Sequence, residues 1–550
     1  MKEKRIDEDE VTICSRHGVA HYRLLTWFVL VVALFIVFPV QAAKFQLMEA
    51  TISDINKAFK GGKLTSERLT KMYLDRIKAY DQKGPEIRAM ITINPNALKD
   101  AKALDKERKK KGPRSFIHGI PIIIKDNYDT ADMPTSGGSI LLKDSVPKDD
   151  AFIVKKLRDA GAVILGKANM SELALSFDRL SHSSMAGVTR NPYNLKRDVA
   201  GSSSGSAAAV AANFAVFATG SDTAGSIRAP ANVAGTVGIK PTLGLTSRDG
   251  IIPVSLSYDV TGPIARTVAD AAIALQYMAG VDPNDPRTAE SRSWQVEDYT
   301  KFFDKDALKG ARIGIARDYF GGNPEVDETI ERAIAKMRAM GATFVDLNVP
   351  KYVRDAWQDK MELVIDRELE PQLNAYLASL PGSGPKTLKD MIKGYKALPK
   401  NDPVPLVSPV RIEYYEKVTN SPGAADIAYL YTLTNKLPVS RNGVVEAMEK
   451  HNLDAIVFPT MPCTASPLFT VKEDPTYVCN VPDPWIAGYM GCVTGFPEIT
   501  VPAGMTQYGL PIGLSFYGKP YTEPKLIALA YAYEQTTKAR KPPPTTPALK

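Results

Sequence analysis

Two clusters of glycine and hydroxyl residues hold the densest chemistry in this 550-residue chain. The first is Gly201-Ser202-Ser203-Ser204-Gly205-Ser206, and the second is Asp222-Thr223-Ala224-Gly225-Ser226. Glycine accepts positive φ and carries no side chain, so each knot can aim several backbone N–H groups at one point. An oxyanion or a phosphate group requires that arrangement. A phosphate cradle of the usual kind would need G-x-x-x-x-G-K-[ST], which does not occur. His17, His21, His118 and His182 show no metal-ligand spacing, so neither a metal nor an organic cofactor is expected.

The knots need elements to hold them. Residues 207–218 between them are mostly small and apolar and predict a buried helix running into a strand. Elsewhere, short apolar runs at 120–124, 162–165, 214–218, 313–316, 343–347, 455–458 and 512–516 alternate with helical patterns. Strands of that kind suit a sheet covered on both faces, which predicts one large α/β domain. Residues 50–80 predict two amphipathic helices separated by Gly61-Gly62, the second starting near Thr65. Asn96 is positioned to cap another helix, and further helices are predicted at 268–278, 328–340 and 524–534. The stretch from about 285 to 450 is more polar and helix-rich, and the proline-rich, basic end at 541–550 predicts a flexible tail.

Three separated motifs occur in an informative order: Gly119-Ile120-Pro121-Ile122-Ile123-Ile124-Lys125-Asp126-Asn127, then the first knot, then Asp222-Thr223-Ala224-Gly225-Ser226-Ile227-Arg228. Together they resemble the signature of the amidase signature family, serine hydrolases that use a Ser–Ser–Lys triad. The stretches 161–172 (GAVILGKANMSE) and 509–518 (GLPIGLSFYG) fit the family as well, so the resemblance covers most of the chain from about residue 45. It implies a central mixed sheet with helices on both faces and an amidase domain over 43–540. The core signature would lie at 119–267 and a variable, pocket-shaping region at about 285–450.

Carried over residue by residue, the resemblance makes Ser226 the nucleophile, Ser202 the bridging serine whose peptide bond is usually cis, and Lys125 the base. The two serines lie 24 positions apart, as in the family. Ser203 is expected to hydrogen-bond Lys125, and the N–H groups of Thr223, Ala224, Gly225 and Ser226 to form an oxyanion hole. Asp222 and Arg228 read as a structural ion pair holding the knot. Lys125 follows three isoleucines at a strand end, where desolvation favours a neutral amine. Lys167, in Gly166-Lys167-Ala168-Asn169, is superficially similar and serves as an internal control, expected to be dispensable for turnover. Ala200, Ser204 and Ala224 replace glycines of the family pattern, which reads as the mark of a free-standing, peptide-amidase-like subgroup.

The implied reaction is hydrolysis of a carboxylic amide through a Ser226 acyl-enzyme, releasing ammonia or an amine. Two alternatives stand beside it. One is a glutamine amidotransferase A-type subunit, which would need partner proteins. The other is an esterase-like site using Ser203, because residues 201–205 also satisfy G-x-S-x-G, the nucleophile elbow of α/β-hydrolases. That elbow needs a preceding apolar strand and a later histidine. Residues 194–198 are mostly polar, and the only later histidine is His451 in a polar run.

A hydrophobic content of 44% and a charged content of 24% are ordinary for a globular enzyme, and the net charge is +8. The densest basic run, 106–114, has no interleaved aromatics and reads as a solvated helix end, so no nucleic-acid partner is expected. An apolar run from Leu24 to Val40 follows Arg16 and Arg23, with small residues suited to cleavage after Ala42. Residues 1–42 are therefore read as a signal peptide, or as an uncleaved signal anchor that would be the only membrane contact. Export to the periplasm or the extracellular space is the expectation. Removal of the leader leaves Cys463, Cys479 and Cys492, whose spacings fit no metal motif and admit either one disulfide with a free thiol or three inert core cysteines.

Overall fold

Residues 45–399 and 406–549 are described by a computed structural model, so the leader read at 1–42 lies outside the described residues. In chain order the strands are β1 (Met90–Ile93), β2 (Pro121–Lys125), β3 (Val163–Ala168), β4 (His182–Ser183), β5 (Gly187–Val188), β6 (Phe217–Asp222) and β7 (Val237–Lys240). They continue as β8 (Val260–Ala265), β9 (Arg312–Ala316), β10 (Thr343–Leu347), β11 (Ala455–Pro459), β12 (Glu498–Met505) and β13 (Pro511–Tyr517). Eleven form one sheet in the order β1-β3-β2-β6-β8-β7-β12-β13-β11-β9-β10, and β4 pairs with β5 alone. The sheet is mixed: β2 runs parallel to β3 and β6, and β9 parallel to β10 and β11. The junctions from β6 through β8, β7, β12 and β13 to β11 are antiparallel.

Every residue of β2, β3, β6, β7, β8, β11 and β13 is buried. Successive strand side chains point to opposite faces, so full burial means that both faces are covered. Helix Ser204–Ala211 packs on β2, β6 and β8, and helix Val268–Met278 on β7 and β8. Helices Pro324–Ala339 and Glu523–Thr537 cover the β12–β13 part of the sheet. Several starts follow the capping chemistry of the sequence. Thr51 forms a capping box with Asp54, Thr65 caps Ser66–Tyr80, and Asn323 accepts from two N–H groups ahead of Pro324–Ala339. Asn96 precedes helix Ala97–Lys111 as expected but makes no side-chain cap; its own N–H donates to Asn94 Oδ1 at 2.8 Å.

Two boundaries moved relative to the sequence reading. The helix between the knots starts inside the first knot, at Ser204, and the strand begins at Phe217 and ends on Asp222. The first knot is thus a helix N-terminus and the second follows a strand end. The helix is wholly buried, and small residues make that feasible. A Cβ at Gly205 would lie 2.3 Å from Asn169 O and 2.4 Å from Ala89 O, which only glycine avoids.

The helix-rich region docks on the signature through a second apolar core. Leu369, Leu373, Leu377, Leu388, Met391, Tyr395, Tyr415 and Val418 pack there against Leu142, Leu173 and Ile252. Polar clamps fix the register: Tyr395 Oη donates to Glu172 Oε1 at 2.6 Å, Arg411 Nη1 to Glu172 O at 2.7 Å, and Tyr376 Oη to Asp129 Oδ1 at 2.6 Å.

The end of the chain differs from the flexible tail read at 541–550. Arg540 binds Glu49 at 2.8 and 3.0 Å, and Tyr193 Oη donates to Lys541 O at 2.5 Å. The buried Arg76 donates to Thr546 O and Pro547 O at 2.8 and 2.7 Å, so the tail supplies carbonyls that a buried guanidinium needs. Cys463 and Cys479 form a disulfide, and Cys492 is a buried free thiol. Among the described residues no helix is long and apolar enough to cross a membrane.

Candidate active site

The parallel strands β2 and β6 end side by side, with Ile123 paired to Ala218. The carboxyl ends of parallel strands are where α/β sheets place ligands. Here β2 delivers Lys125, and β6 delivers Ser221 and Asp222. Lys125 is fully buried, and its backbone N–H donates to Thr219 Oγ1 at 2.9 Å. Its Nζ lies 2.8 Å from Ser202 Oγ, 2.9 Å from Ser221 Oγ and 3.4 Å from Ser221 O. Burial pulls this amine down from 10.5 to about 7, although Asp222 and Asp259 pull the other way. A lysine in that state can give or take a proton near neutral pH.

Ser202 follows a cis peptide bond, Gly201–Ser202. Gly201 is needed there because a Cβ would lie 2.3 Å from Ser171 Oγ and 2.4 Å from Ser176 Oγ. Ser203 does not reach Lys125, contrary to the sequence reading. Its Oγ donates to Ser221 O at 3.2 Å and its N–H to Ser226 O at 3.3 Å, so it braces the two knots against each other. Ser221 is the hydroxyl on Lys125 instead, and Asn127 Nδ2 donates to Ser221 Oγ at 3.0 Å. Sequence reasoning singled out neither Ser221 nor Asn127 for this role. Period-two alternation along β6 was the available signal, since Thr219 and Ser221 share the face that meets Lys125.

Ser226 lines a cavity of about 340 Å³, together with Thr223 and Ala224. Of the four N–H groups expected to stabilise an oxyanion, that of Gly225 is already committed, donating to Asp222 Oδ1 at 2.8 Å. Those of Thr223, Ala224 and Ser226 have no acceptor within the described residues. Gly225 sits at φ 106°, a conformation that suits glycine, while Ala224 keeps an ordinary φ. Ala200 is the glycine replacement that bends the rule, at φ 52°.

Asp222 and Arg228 are both buried and paired, with Nη2–Oδ1 and Nε–Oδ2 each 3.0 Å, and Arg228 also reaches Glu498 at 2.6 Å and Gly488 O at 2.8 Å. Burial alone would raise the Asp222 carboxyl, yet the Arg228 guanidinium holds it far below the usual carboxylate range. The pair is therefore structural, clamping the second knot to β12. Thr223 is fixed in turn by Asp259, its Oγ1 donating at 2.5 Å. Burial raises Asp259 to about 6.

Lys167, the internal control, has an environment of its own. It is wholly buried, 3.4 Å from Asp126 Oδ1, and donates to Thr135 Oγ1 at 2.8 Å and Pro134 O at 3.1 Å. Ser203 Oγ is buried and absent from the cavity wall, and His451 closes the helix Leu437–Lys450 with its carbonyl accepting from Arg312 Nε. Nothing here forms the elbow of an α/β-hydrolase. Among the described residues no group of three or more His, Cys, Asp and Glu side chains is placed to hold a metal ion.

The Amidase family profile matches residues 68–527. A probable amidase of Arabidopsis thaliana is 36% identical over 512 residues, covering 91% of this chain and 93% of its own. The A-type subunit of a glutamyl-tRNA(Gln) amidotransferase from Caldanaerobacter subterraneus subsp. tengcongensis is 35% identical, over 90% of this chain and 97% of its own. Among solved structures, native peptide amidase from Stenotrophomonas maltophilia superposes with a TM-score of 0.79 at 39% identity, covering 90% of this chain and 98% of that one. A peptide amidase in complex with the competitive inhibitor chymostatin gives 0.80 at 39% identity, over 91% and 100%. The chain belongs to the amidase signature family and is an amide-hydrolysing enzyme.

Proposed function

We propose that the protein hydrolyses peptide carboxamides, using Ser226 as nucleophile and Ser202 and Lys125 as its proton relay. One observation carries the reading: a fully buried lysine, brought to about 7 by its burial, lies 2.8 Å from the Ser202 hydroxyl. Neutral Lys125 takes the Ser202 proton while Ser202 takes that of Ser226, and Ser226 Oγ bonds to the amide carbon. The N–H groups of Thr223, Ala224 and Ser226 stabilise the oxyanion. The relay returns the proton to the nitrogen, the C–N bond breaks, and ammonia leaves. Water then attacks the acyl-enzyme by the same path, giving the carboxylic acid and free Ser226.

The likeness to peptide amidases supports a peptide-like acyl group. The amidotransferase subunits found among the relatives act with other subunits by their names, and their role is the second reading. Export is part of the proposal, resting on the apolar leader at 24–40 and on the Cys463–Cys479 disulfide, a bond that persists in oxidising compartments.

A fluorophosphonate probe followed by peptide mapping tests the triad. Label is expected on Ser226 and lost in Lys125→Ala. Label on Ser203, or equal label in Lys125→Ala, overturns the assignment. N-terminal sequencing of the protein recovered outside the cytoplasm is expected to begin at Ala43.

A further inference from the structure

Five aromatic rings line the Ser226 cavity among the described residues. The Trp485 ring lies over the second knot, 3.4 Å from where a Cβ on Gly225 would stand. Trp357 and Tyr489 pack with ring centroids 5.5 Å apart, and Phe177 and Tyr414 with centroids 4.9 Å apart. Trp357 begins a turn of π-helix, Trp357–Met361, a local widening of the helix that is frequent at functional sites. Val254, Ile365 and Leu175 fill the remaining apolar wall.

The charges point the same way. Among the described residues no lysine or arginine lines the cavity, and Glu362 is its one carboxylate. Glu362 is already paired with Lys417 at 2.9 Å, and Lys417 also holds Asp366 at 2.8 Å. A carboxylate on the acyl part of a substrate would therefore enter a mostly apolar space whose nearby Lys417 is already committed to Glu362 and Asp366, at a heavy desolvation cost. An apolar ring would replace water along the whole wall.

We infer that the cavity selects amides whose acyl part presents a large aromatic or branched apolar side chain next to the reacting carbonyl, and that it rejects glutamine. This rests on Ser226 being the nucleophile and adds the substrate class that the second reading would contradict. Trp357 then acts as a specificity-determining residue that touches the substrate side chain.

The test compares ammonia release from N-acetyl-phenylalaninamide, N-acetyl-glycinamide and glutamine by the full mature protein, with fluorophosphonate labelling measured on the same preparation. Each methylene lost from an apolar pocket costs about 10–200-fold. The phenylalanine compound is therefore expected to exceed the glycine compound at least about 100-fold in kcat/KM, and glutamine to fall below both. Trp357→Ala is expected to raise KM for the phenylalanine compound about 10-fold with the glycine compound nearly unchanged, and Trp357→Phe to restore most of it. Equal rates for the two acetylated amides, or preference for glutamine, on protein labelled at Ser226 overturns the selectivity and leaves the triad standing. Absence of both label and turnover overturns the triad, and the selectivity with it.

Discussion

At the scale of single residues, the site depends on an amine kept out of water. The proposed relay uses neutral Lys125, so kcat/KM is expected to climb as pH rises through about 7 and to level off above it. The same shift costs stability, and the sign follows from proton counting. Between about 7 and 10.5 the unfolded chain holds a proton on this lysine that the folded chain has released. Stability therefore rises with pH across that window. Relative to Lys125→Met, the natural protein is expected to gain on the order of 5 kcal/mol over it. Denaturant unfolding of both proteins at several pH values measures that gain, and parallel curves would show that Lys125 is not titrating inside the fold. The sequence singled out Lys125, Ser202 and Ser226 because their motifs are local, and the structure sets Lys125 against Ser202 and Ser226 in the cavity wall. The sequence hid Ser221 and Asn127, whose roles arise only when β2 and β6 lie side by side.

At the scale of elements, the parallel pair β2–β3 carries two buried lysines with opposite fates. Lys125 faces hydroxyls and no carboxylate within salt-bridge distance among the described residues, whereas Lys167 meets Asp126. Asp126 in turn accepts from Ser136 and from the N–H of Gly138, so the pair organises the loop after β2. Lys167→Ala would leave the Asp126 charge buried and unpaired, and a loss of about 3–5 kcal/mol of stability is expected. The folded fraction, counted by fluorophosphonate label, should keep its turnover per site. A stable but inactive Lys167→Ala protein would instead place Lys167 in the chemistry. Strands were legible where apolar runs were unbroken, as in 455–458, which falls within β11. They were hidden in β8, which contains Gly262 and Pro263 yet lies between β6 and β7. Proline argues against a central strand, and it is the crowding that explains the glycine beside it. A Cβ at Gly262 would lie 2.1 Å from Ile239 O.

At the scale of the whole described unit, elements far apart in sequence complete one another. The tail is an example, and a proline-rich basic stretch gave no sign that its carbonyls would serve a buried arginine. Truncation after Thr537 removes Arg540 and uncovers Arg76, and a loss of about 3 kcal/mol is expected in denaturant unfolding. Burial pulls Glu49 upward, but Arg540 brings it down to about 2. That contribution is complete above about 4.5 and lost as pH falls towards 2. The gap between full-length and truncated protein should therefore narrow with acid. An unchanged gap would mean that the carbonyl contacts, not the ion pair, hold the tail. The cavity wall was equally hidden, because Tyr414 joins it through the second core while Trp357 joins it by packing on a different cluster that includes Val254 and Tyr489.

The sheet order also sets when, during synthesis, an enzyme comes into being. Lys125, Ser202 and Ser226 have all left the ribosome by the time β8 emerges, yet β7 then has a bare edge and Arg228 lacks Glu498. Both are supplied by β12, close to the end of the chain. A nascent protein that already holds all three residues of the proposed triad is thus a sheet with an open edge and an unclamped knot, a state prone to mispairing. For a chain proposed to cross a membrane before it works, such lateness keeps its hydrolytic chemistry unassembled in the compartment where it is made.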